Sequence, residues 1–410
     1  MKTKPSKKNI PEGWSEVQFS SIGTFLKGAS ISKEQLTPGG HNAIRYGELY
    51  TKYDFCIKKI HSFIPDDVAE LSTKVQYGDI LFAGSGETID EIGKSAAYLL
   101  KEPAYASGDT IIFRPKEADS LFLAYFLNVG EARKKLRELG QGQSVVHIYK
   151  SDIEGMTLAI PPLEEQREIA RILETWDEAI DKLSKKVQTK KRIKIGLIQD
   201  LLTGKRRLPG FKDKWGEISI GDFATVVNQL NLEDKQYEVL SCTKHGGLVR
   251  SLEYFDRKIY GDDLSKYKVV PKGYFAYATN HVEEGSIGYQ NLLDFGLVSP
   301  MYTVFKTKDV NNDFLFGLLK TPRLIFEYQR HMTASVERRG GLRWGAFSKI
   351  KIHIPNRVEQ DAIAGVMANI NKDLAESIRK LRLLKDQKRY LLNNLMTGAI
   401  RVPESLSTPK

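Results

Sequence analysis

The sequence predicts an α+β fold in which two globular units alternate with two long helices. The helices pair as an antiparallel coiled coil, giving an internal pseudo-twofold repeat. Three observations carry this. The line IPPLEEQREIA, from Ile160 to Ala170, returns as IPNRVEQDAIA from Ile354 to Ala364, a separation of 194. Apolar residues recur at coiled-coil spacing after both copies. Upstream of each copy, short stretches of the two globular segments still match.

The register of the repeat comes first, because internal periodicity organises everything else. Ile160 and Pro161 meet Ile354 and Pro355, Glu165 and Gln166 meet Glu359 and Gln360, and Ile169 and Ala170 meet Ile363 and Ala364. LLTGKRRLP (Leu201 to Pro209) meets LMTGAIRVP (Leu395 to Pro403) with no gap needed. Loops drift in length and packed helices do not, so a register held this long marks a regular element.

In the first copy Ile169, Leu173, Trp176, Ile180, Leu183, Val187, Leu197 and Leu201 fall on alternating steps of four and three, with Lys190 and Lys194 on the two missing steps. The second copy gives Ile363, Met367, Ile370, Leu374, Leu381, Leu384, Leu391 and Leu395, with Ser377 and Lys388 as polar exceptions. This is a coiled-coil seam. Pro161 and Pro162 stand where a missing N–H costs little, and Glu164 and Glu165 favour the positive end of the helix. Thr203-Gly204 and Thr397-Gly398 supply C-terminal glycines. Each helix then holds about 40 residues and spans roughly 60 Å. The first runs from one globular unit to the next, so a paired second helix returns antiparallel to it.

The globular units repeat more faintly. GWSEVQF (Gly13 to Phe19) resembles KWGEISI (Lys214 to Ile220), and YGDILFA (Tyr77 to Ala83) resembles KGYFAYA (Lys272 to Ala278). Ile92-Gly93 resembles Ile287-Gly288 at the same offset, and DTIIF (Asp109 to Phe113) resembles MYTVF (Met301 to Phe305). Each half then carries a shorter helical stretch, LFLAYFLNVGEARKKLREL and DFLFGLLKTPRLIFEYQRH.

A chain of 410 residues has room for two or more domains with separate cores. Its composition is that of an ordinary globular protein. No apolar run reaches the roughly 20 residues of a membrane helix. The basic start MKTKPSKKNIPEGW has no apolar segment behind it and does not read as a signal peptide. Cys56 and Cys242 are the two cysteines, which fits a reducing cytoplasm better than a disulfide framework or a Cys zinc site. The net charge of +11 suits an acidic polymer such as nucleic acid.

The PPLEEQREIA stretch, the helix ending LLTGKRRLPGF and the two-unit layout resemble the specificity subunit of type I restriction-modification systems, over nearly the whole chain. The second copy departs from the pattern, with IPNRVEQ where the first has IPPLEEQ. The resemblance implies two target recognition domains of mixed α/β structure, at residues 1–159 and 206–353. They would be separated by a central long helix at 160–205 and a C-terminal one at 354–402, with a tail at 403–410. It implies that each domain reads one half of a bipartite target in double-stranded DNA. The helices would set the spacing and dock two methyltransferase subunits, with restriction/motor subunits joining in a full system. The chain itself is then non-catalytic and binds no cofactor, S-adenosylmethionine, ATP and Mg being expected on partner subunits. The alternative is a non-enzymatic coiled-coil scaffold holding two protein-binding domains.

The remaining motifs agree with a chain that selects a site while partners do the chemistry. GETIDEIGKS (Gly86 to Ser95) lacks the first glycine of a P-loop, since Thr88 stands where it is needed, so the segment reads as strand-turn-strand with Gly93 at the turn. There is no HExxH or Cys-pair zinc motif, and no metal site is expected. DNA contacts are expected on loops. In the first unit these are Arg45, Tyr46, Lys58, Lys59, Ser85, Lys94, Gln141, Gln143, Ser144 and His147. In the second they are Lys244, His245, Arg250, Asn280, His281, Arg338, Arg339 and Arg343. Gln and Arg can pair bidentately with adenine and guanine edges, whereas Lys mostly holds phosphate. At 3.4 Å per base pair, a rod of roughly 60 Å spans at most about 18 base pairs.

Overall fold

Leu163–Leu202 and Arg357–Leu395 form single helices of 40 and 39 residues. The computed structural model describes residues 10–29, 31–233, 235–332 and 341–403. Pro161 and Pro162 precede the first helix, and the Asn356 side chain caps the second by accepting from the Glu359 N–H at 3.0 Å. Both helices end in left-handed glycines, Gly204 at φ 71° and Gly398 at φ 69°.

The chain divides into two compact units, one of residues 1–184 and 379–410 and one of residues 185–378. In the first, Ile169, Ala170 and Leu173 share a core with Leu392, Leu395 and Met396. In the second, Leu201 and Leu202 share a core with Ile363 and Ala364. Within each unit the helix segments therefore pack antiparallel. Every apolar seam residue named above is buried or half-buried. Three of the polar seam positions, Lys190, Ser377 and Lys388, find partners across the pair. Lys190 donates to Asp373 at 2.7 Å and Ser377 at 3.0 Å, and Lys388, 9% exposed, donates to Asp177 at 2.5 Å.

The repeated line has a structural role in each unit. Gln166, 1% exposed, accepts from the Asp119 N–H at 2.9 Å and donates to the Pro161 carbonyl at 2.8 Å. Gln360, 2% exposed, does the same with the Asn311 N–H and the Pro355 carbonyl, both at 2.9 Å. Asp119 and Asn311 are themselves the N-caps of the helices Ser120–Phe126 and Asn312–Leu319. The glutamine thus locks a long helix to a short helix of its globular domain. The neighbouring glutamate takes a bidentate arginine: Glu165 binds Arg401, and Glu359 binds Arg207. Each copy of the line is completed by the tail of the other helix.

Each globular domain is rooted by a strand pair that feeds directly into its long helix. Ser15–Gln18 pairs antiparallel with Thr157–Ile160, and Gly216–Ser219 with Lys351–Ile354. Above the root, the first domain has a sheet ordered Gly23–Lys27, Thr110–Pro115, Ile80–Ala83, Ser95–Tyr98, Cys56–Ile57. The second repeats the first four places as Ala224–Val227, Tyr302–Thr307, Phe275–Ala278, Ile287–Tyr289. Alternating strand positions put Phe82 and Phe113 in one core and Phe275 and Phe305 in the other, and Phe19 and Phe347 respectively join them from short helices.

One matched stretch slips. Ile287 and Gly288 lie in a strand opposite Tyr277 and Ala276, whereas the residues opposite Phe82 and Leu81 are Ser95 and Ala96. Ile92 and Gly93 instead belong to the turn before that strand, because the first domain has a longer loop, 84–94 against 279–286. Gly93 sits at φ 64° in this strand-turn-strand, and no helix follows to cradle a phosphate.

Candidate nucleic-acid interface

In the first domain the strand His41–Ile44 runs into Arg45-Tyr46-Gly47 and a short helix, Glu48–Thr51. The turn is fixed from three sides. The Arg45 N–H donates to Glu48 Oε2 at 3.0 Å, Ser62 Oγ donates to Glu48 Oε1 at 2.7 Å, and the Tyr46 N–H donates to Ser107 Oγ at 3.1 Å. A cleft of about 580 Å³ opens here, lined by Arg45, Tyr46, Tyr50, Lys33, Lys52 and Asp109 among others. A second cleft of about 330 Å³ shares Gly108 and Asp109 with the first and is lined by Ser85, His147, Lys27 and Lys150.

Ser85 and His147 face each other on paired short strands, with Ser85 Oγ 2.8 Å from His147 Nδ1. Gln141 and His147 exchange two backbone hydrogen bonds of 2.8 Å, which close a loop carrying the exposed Gln143 and Ser144. Gly142 turns that loop at φ 118°, where a side chain would also strike the Val145 carbonyl. Arg45, Tyr46, Ser85 and His147 are thus brought onto two adjoining clefts, with Gln141, Gln143 and Ser144 on the loop beside them.

Lys58 and Lys94 go elsewhere. Lys58 donates to Glu174 of the first long helix at 2.8 Å. Lys94 is half-buried over the Phe55 ring, 5.6 Å from its centroid, and burial pushes its pKa down. Phe55 in turn touches Tyr125 and Lys388, so both lysines serve the seat of the domain on the helices. Lys59 is exposed beside Lys58.

The second domain repeats the arrangement with different side chains. Its strand Leu240–Thr243 runs into Lys244-His245-Gly246, all exposed. Val239 bridges Leu297 in parallel, as the strand His41–Ile44 runs parallel to Ala104–Ala106. Tyr105 bridges Ala43 as Leu297 bridges Val239, so Ser241 stands where Arg45 stands, and Lys244-His245-Gly246 follows the corresponding strand three residues further along. The Leu342 N–H donates to the Thr279 carbonyl at 2.8 Å, matching the bond of 2.9 Å from Ile148 to Gly84. By that match Asn280 occupies the place of Ser85, and the exposed Arg343 that of Tyr149. Lys320 ties these loops together, its Nζ donating to the carbonyls of Thr243, Lys244 and Gly285 at 2.9–3.1 Å. Burial lowers the Lys320 pKa.

Arg250 lies at the other end of its hairpin, where Glu238 accepts from it at 2.9 Å and 3.0 Å. Arg338 and Arg339 lie outside the described residues. His281, Glu283 and Glu284 bring one possible ligand atom each within 4.8 Å on a largely exposed turn, which does not by itself make a metal centre. Sequence reasoning missed Lys27, Lys33, Lys52 and Lys150 on the first domain's clefts and the staple Lys320. Their only signal is charge, and the chain has 62 lysines and arginines.

Two domains of one plan, differing in the side chains at one place, invite comparison with known proteins. The family model described as type I restriction modification DNA specificity domain matches twice, at residues 11–194 and 212–383. The chain belongs to this family. Among its relatives, the specificity subunit of the type I restriction enzyme MjaVIII from Methanocaldococcus jannaschii is 23% identical over 422 residues, covering 96% of this chain and 94% of that one. The EcoKI specificity subunit of Escherichia coli is 28% identical over 178 residues, covering 42% of this chain and 38% of its own. Two solved structures share the fold. The S subunit from M. genitalium has a TM-score of 0.54 at 16% identity, covering 95% of this chain and 98% of that one. The HsdS subunit from Thermoanaerobacter tengcongensis also has a TM-score of 0.54 at 16% identity, with coverages of 96% and 99%. Among the described residues no helix is long and apolar enough to cross a membrane.

Proposed function

We propose that this chain is the DNA-specificity subunit of a type I restriction-modification complex and that each recognition domain reads one half of a split target. The observation that carries this is that corresponding strands of the two domains, His41–Ile44 and Leu240–Thr243, run into different loop residues, Arg45-Tyr46-Gly47 and Lys244-His245-Gly246. A basic residue, a ring and a glycine follow the strand in both domains, yet the side chains and their register differ. Equivalent placement meets DNA in equivalent ways, and different side chains select different bases. The remaining loop residues, Lys59, Ser85, Gln141, Gln143, Ser144, His147, Asn280, His281 and Arg343, supply further phosphate and base contacts.

The two long helices, paired antiparallel, set the spacing of the half-sites and dock two methyltransferase subunits. Restriction/motor subunits join them if the system is a full one. The chain itself performs no catalysis. S-adenosylmethionine, ATP and Mg are held by the partner subunits, which work with this chain on double-stranded DNA in the cytoplasm.

The test is a map of methyladenine in a host expressing this chain with its methyltransferase subunit, and in the same host without the chain. Methylation at one split motif that vanishes without the chain supports the reading. Exchanging residues 11–155 for the same region of a relative should then change one half of the motif only. A methylation pattern independent of the chain would leave a coiled-coil scaffold as the better reading.

A further inference from the structure

The first recognition domain contains four arginines, Arg45, Arg114, Arg133 and Arg137. Three have their guanidinium groups engaged by protein acceptors. Arg114 makes two bonds of 2.8 Å to the Asp79 carboxylate. Arg133 donates to the carbonyls of Ile92 and Asp90 at 2.7 Å and 2.5 Å. Arg137 pairs with Asp90 at 2.9 Å. Arg45 differs: among the described residues no acceptor meets its guanidinium, and its Nε is buried without a hydrogen-bond partner.

The nearby carboxylate does not supply one. The Glu48 carboxylate accepts instead from the Arg45 main-chain N–H on one oxygen and from Ser62 Oγ on the other. A buried polar group in this state calls for an explanation, because native structures satisfy nearly all of them. The backbone that carries Arg45 is held by Glu48 and by the Tyr46–Ser107 bond, so the side chain starts from a fixed point on the wall of the cleft. Lys33 and Lys52 line the same cleft as exposed ammonium groups, suited to phosphate. The half-buried Arg45 leaves two Nη groups that no acceptor meets among the described residues, and a pair of parallel N–H donors suits a planar edge with two acceptors.

We propose that Arg45 is a specificity-determining residue that reads a guanine, through its O6 and N7, in the half-site bound by the first recognition domain. This rests on the proposed DNA-reading function. It also assigns an asymmetry between the half-sites. The corresponding residue of the second domain is Ser241, whose hydroxyl lies 2.9 Å from Ser251 Oγ, and the basic residue that ends that strand, Lys244, is a single-point donor that cannot grip two acceptors in a fixed plane. The first half-site therefore carries the stricter guanine.

The experiment competes duplexes bearing the mapped split target, with all four bases at each recognised position in turn, for the full-length chain assembled with its methyltransferase subunits. Wild type, Arg45→Ala and Arg45→Lys are compared. The expected result is that Arg45→Ala loses roughly 10- to 100-fold of discrimination at one guanine of one half-site, while the second half-site is read as before. Arg45→Lys keeps part of the affinity and loses most of the discrimination. A fall in affinity equal for every duplex would make Arg45 a phosphate contact and overturn the proposal. So would unchanged discrimination, or a change confined to a base other than guanine. Retained reading of the second half-site shows that a variant has folded, and Arg45→Lys carries the test if Arg45→Ala has not. Should wild type itself show no split preference, the failure belongs to the proposed function and not to Arg45 alone.

Discussion

Arg207 and Glu359 grip each other through two hydrogen bonds, 2.6 Å and 2.7 Å long, across 152 residues of chain. The Glu359 side chain is 1% exposed and the Arg207 side chain 26% exposed. In the other unit Arg401 and Glu165 repeat the grip at 2.7 Å with exposures of 41% and 12%. The two pairs are alike in geometry and unlike in solvation. Removing Arg207 strands a buried carboxylate, so Arg207→Ala should cost about 3 kcal/mol. Arg401→Ala leaves a carboxylate that water can reach and should cost about 1 kcal/mol. Thermal unfolding of the two variants ranks them, and equal losses would contradict the solvation argument.

Gln166 and Gln360 each satisfy one N–H and one carbonyl with a single buried amide. Replacing Gln360 with Leu leaves the Asn311 N–H and the Pro355 carbonyl unmet, each costing about 1–3 kcal/mol. Gln360→Glu should be worse near neutral pH, since a carboxylate would then face the Pro355 carbonyl. Acidification should partly restore that variant, because its carboxyl can donate once protonated. A Glu variant as stable as wild type at pH 7 would show that this bridge is not what holds the helix to its domain.

Lys388 is buried between the Phe55 and Tyr125 rings, 4.6 Å and 5.2 Å from their centroids, with Asp177 as counter-charge. The Tyr125 hydroxyl also donates to Asp177 at 2.6 Å, and its pKa is pushed far up, first by burial and then by that carboxylate. Lys388→Met keeps the apolar stem and should change stability by less than about 1.5 kcal/mol. Asp177→Ala leaves the ammonium alone in an aromatic seat and should cost about 2–3 kcal/mol, tempered by the 36% exposure of Asp177. Denaturation midpoints in the reverse order would mean that the carboxylate, not the lysine, bears the desolvation cost.

The two cysteines report on one domain each. Burial pushes the Cys56 thiol up to about 11 and the Cys242 thiol up to about 12. A raised folded-state pKa contributes stability that is fully present below the unfolded value. These contributions should hold up to about pH 9, then fade as pH climbs toward 11 for Cys56 and 12 for Cys242. At pH 8 both thiols should react with iodoacetamide far more slowly than a free cysteine, and mild denaturant should release them separately as the domains open. Fast native labelling of Cys242 would show that its environment is open to solvent.

The helices and the order of elements were legible in the sequence because periodicity survives substitution. Ile169, Leu173 and Val187 announce a buried stripe whatever else changes around them. The pairings of Glu165 with Arg401 and Glu359 with Arg207 were not read, although all four positions sit in the matched lines. A charge says little about burial until the chain is folded, and these partners are 236 and 152 residues apart. Charge alone also did not show the partners of Lys58 and Arg250. Each was expected at DNA, and each is occupied by a glutamate that folding brings close. Arg45 looked no different in sequence from Arg114 or Arg133. Only the fold shows that, among the described residues, it is the one left without an acceptor.

The first unit is assembled from residues 1–184 and 379–410, whereas the second, 185–378, is one unbroken stretch. Synthesis therefore reverses the usual order of maturation, in which the domain nearest the N-terminus folds first. The second unit is complete in the growing polypeptide while the first still lacks Leu392, Leu395 and Met396 from its core. Until the last turns of Arg357–Leu395 leave the ribosome, Ile169 and Leu173 lack that part of their core. The N-terminal half of this protein is the last part to finish folding, and a ribosome that stalls before residue 379 releases a chain with its later half sound and its earlier half unfinished.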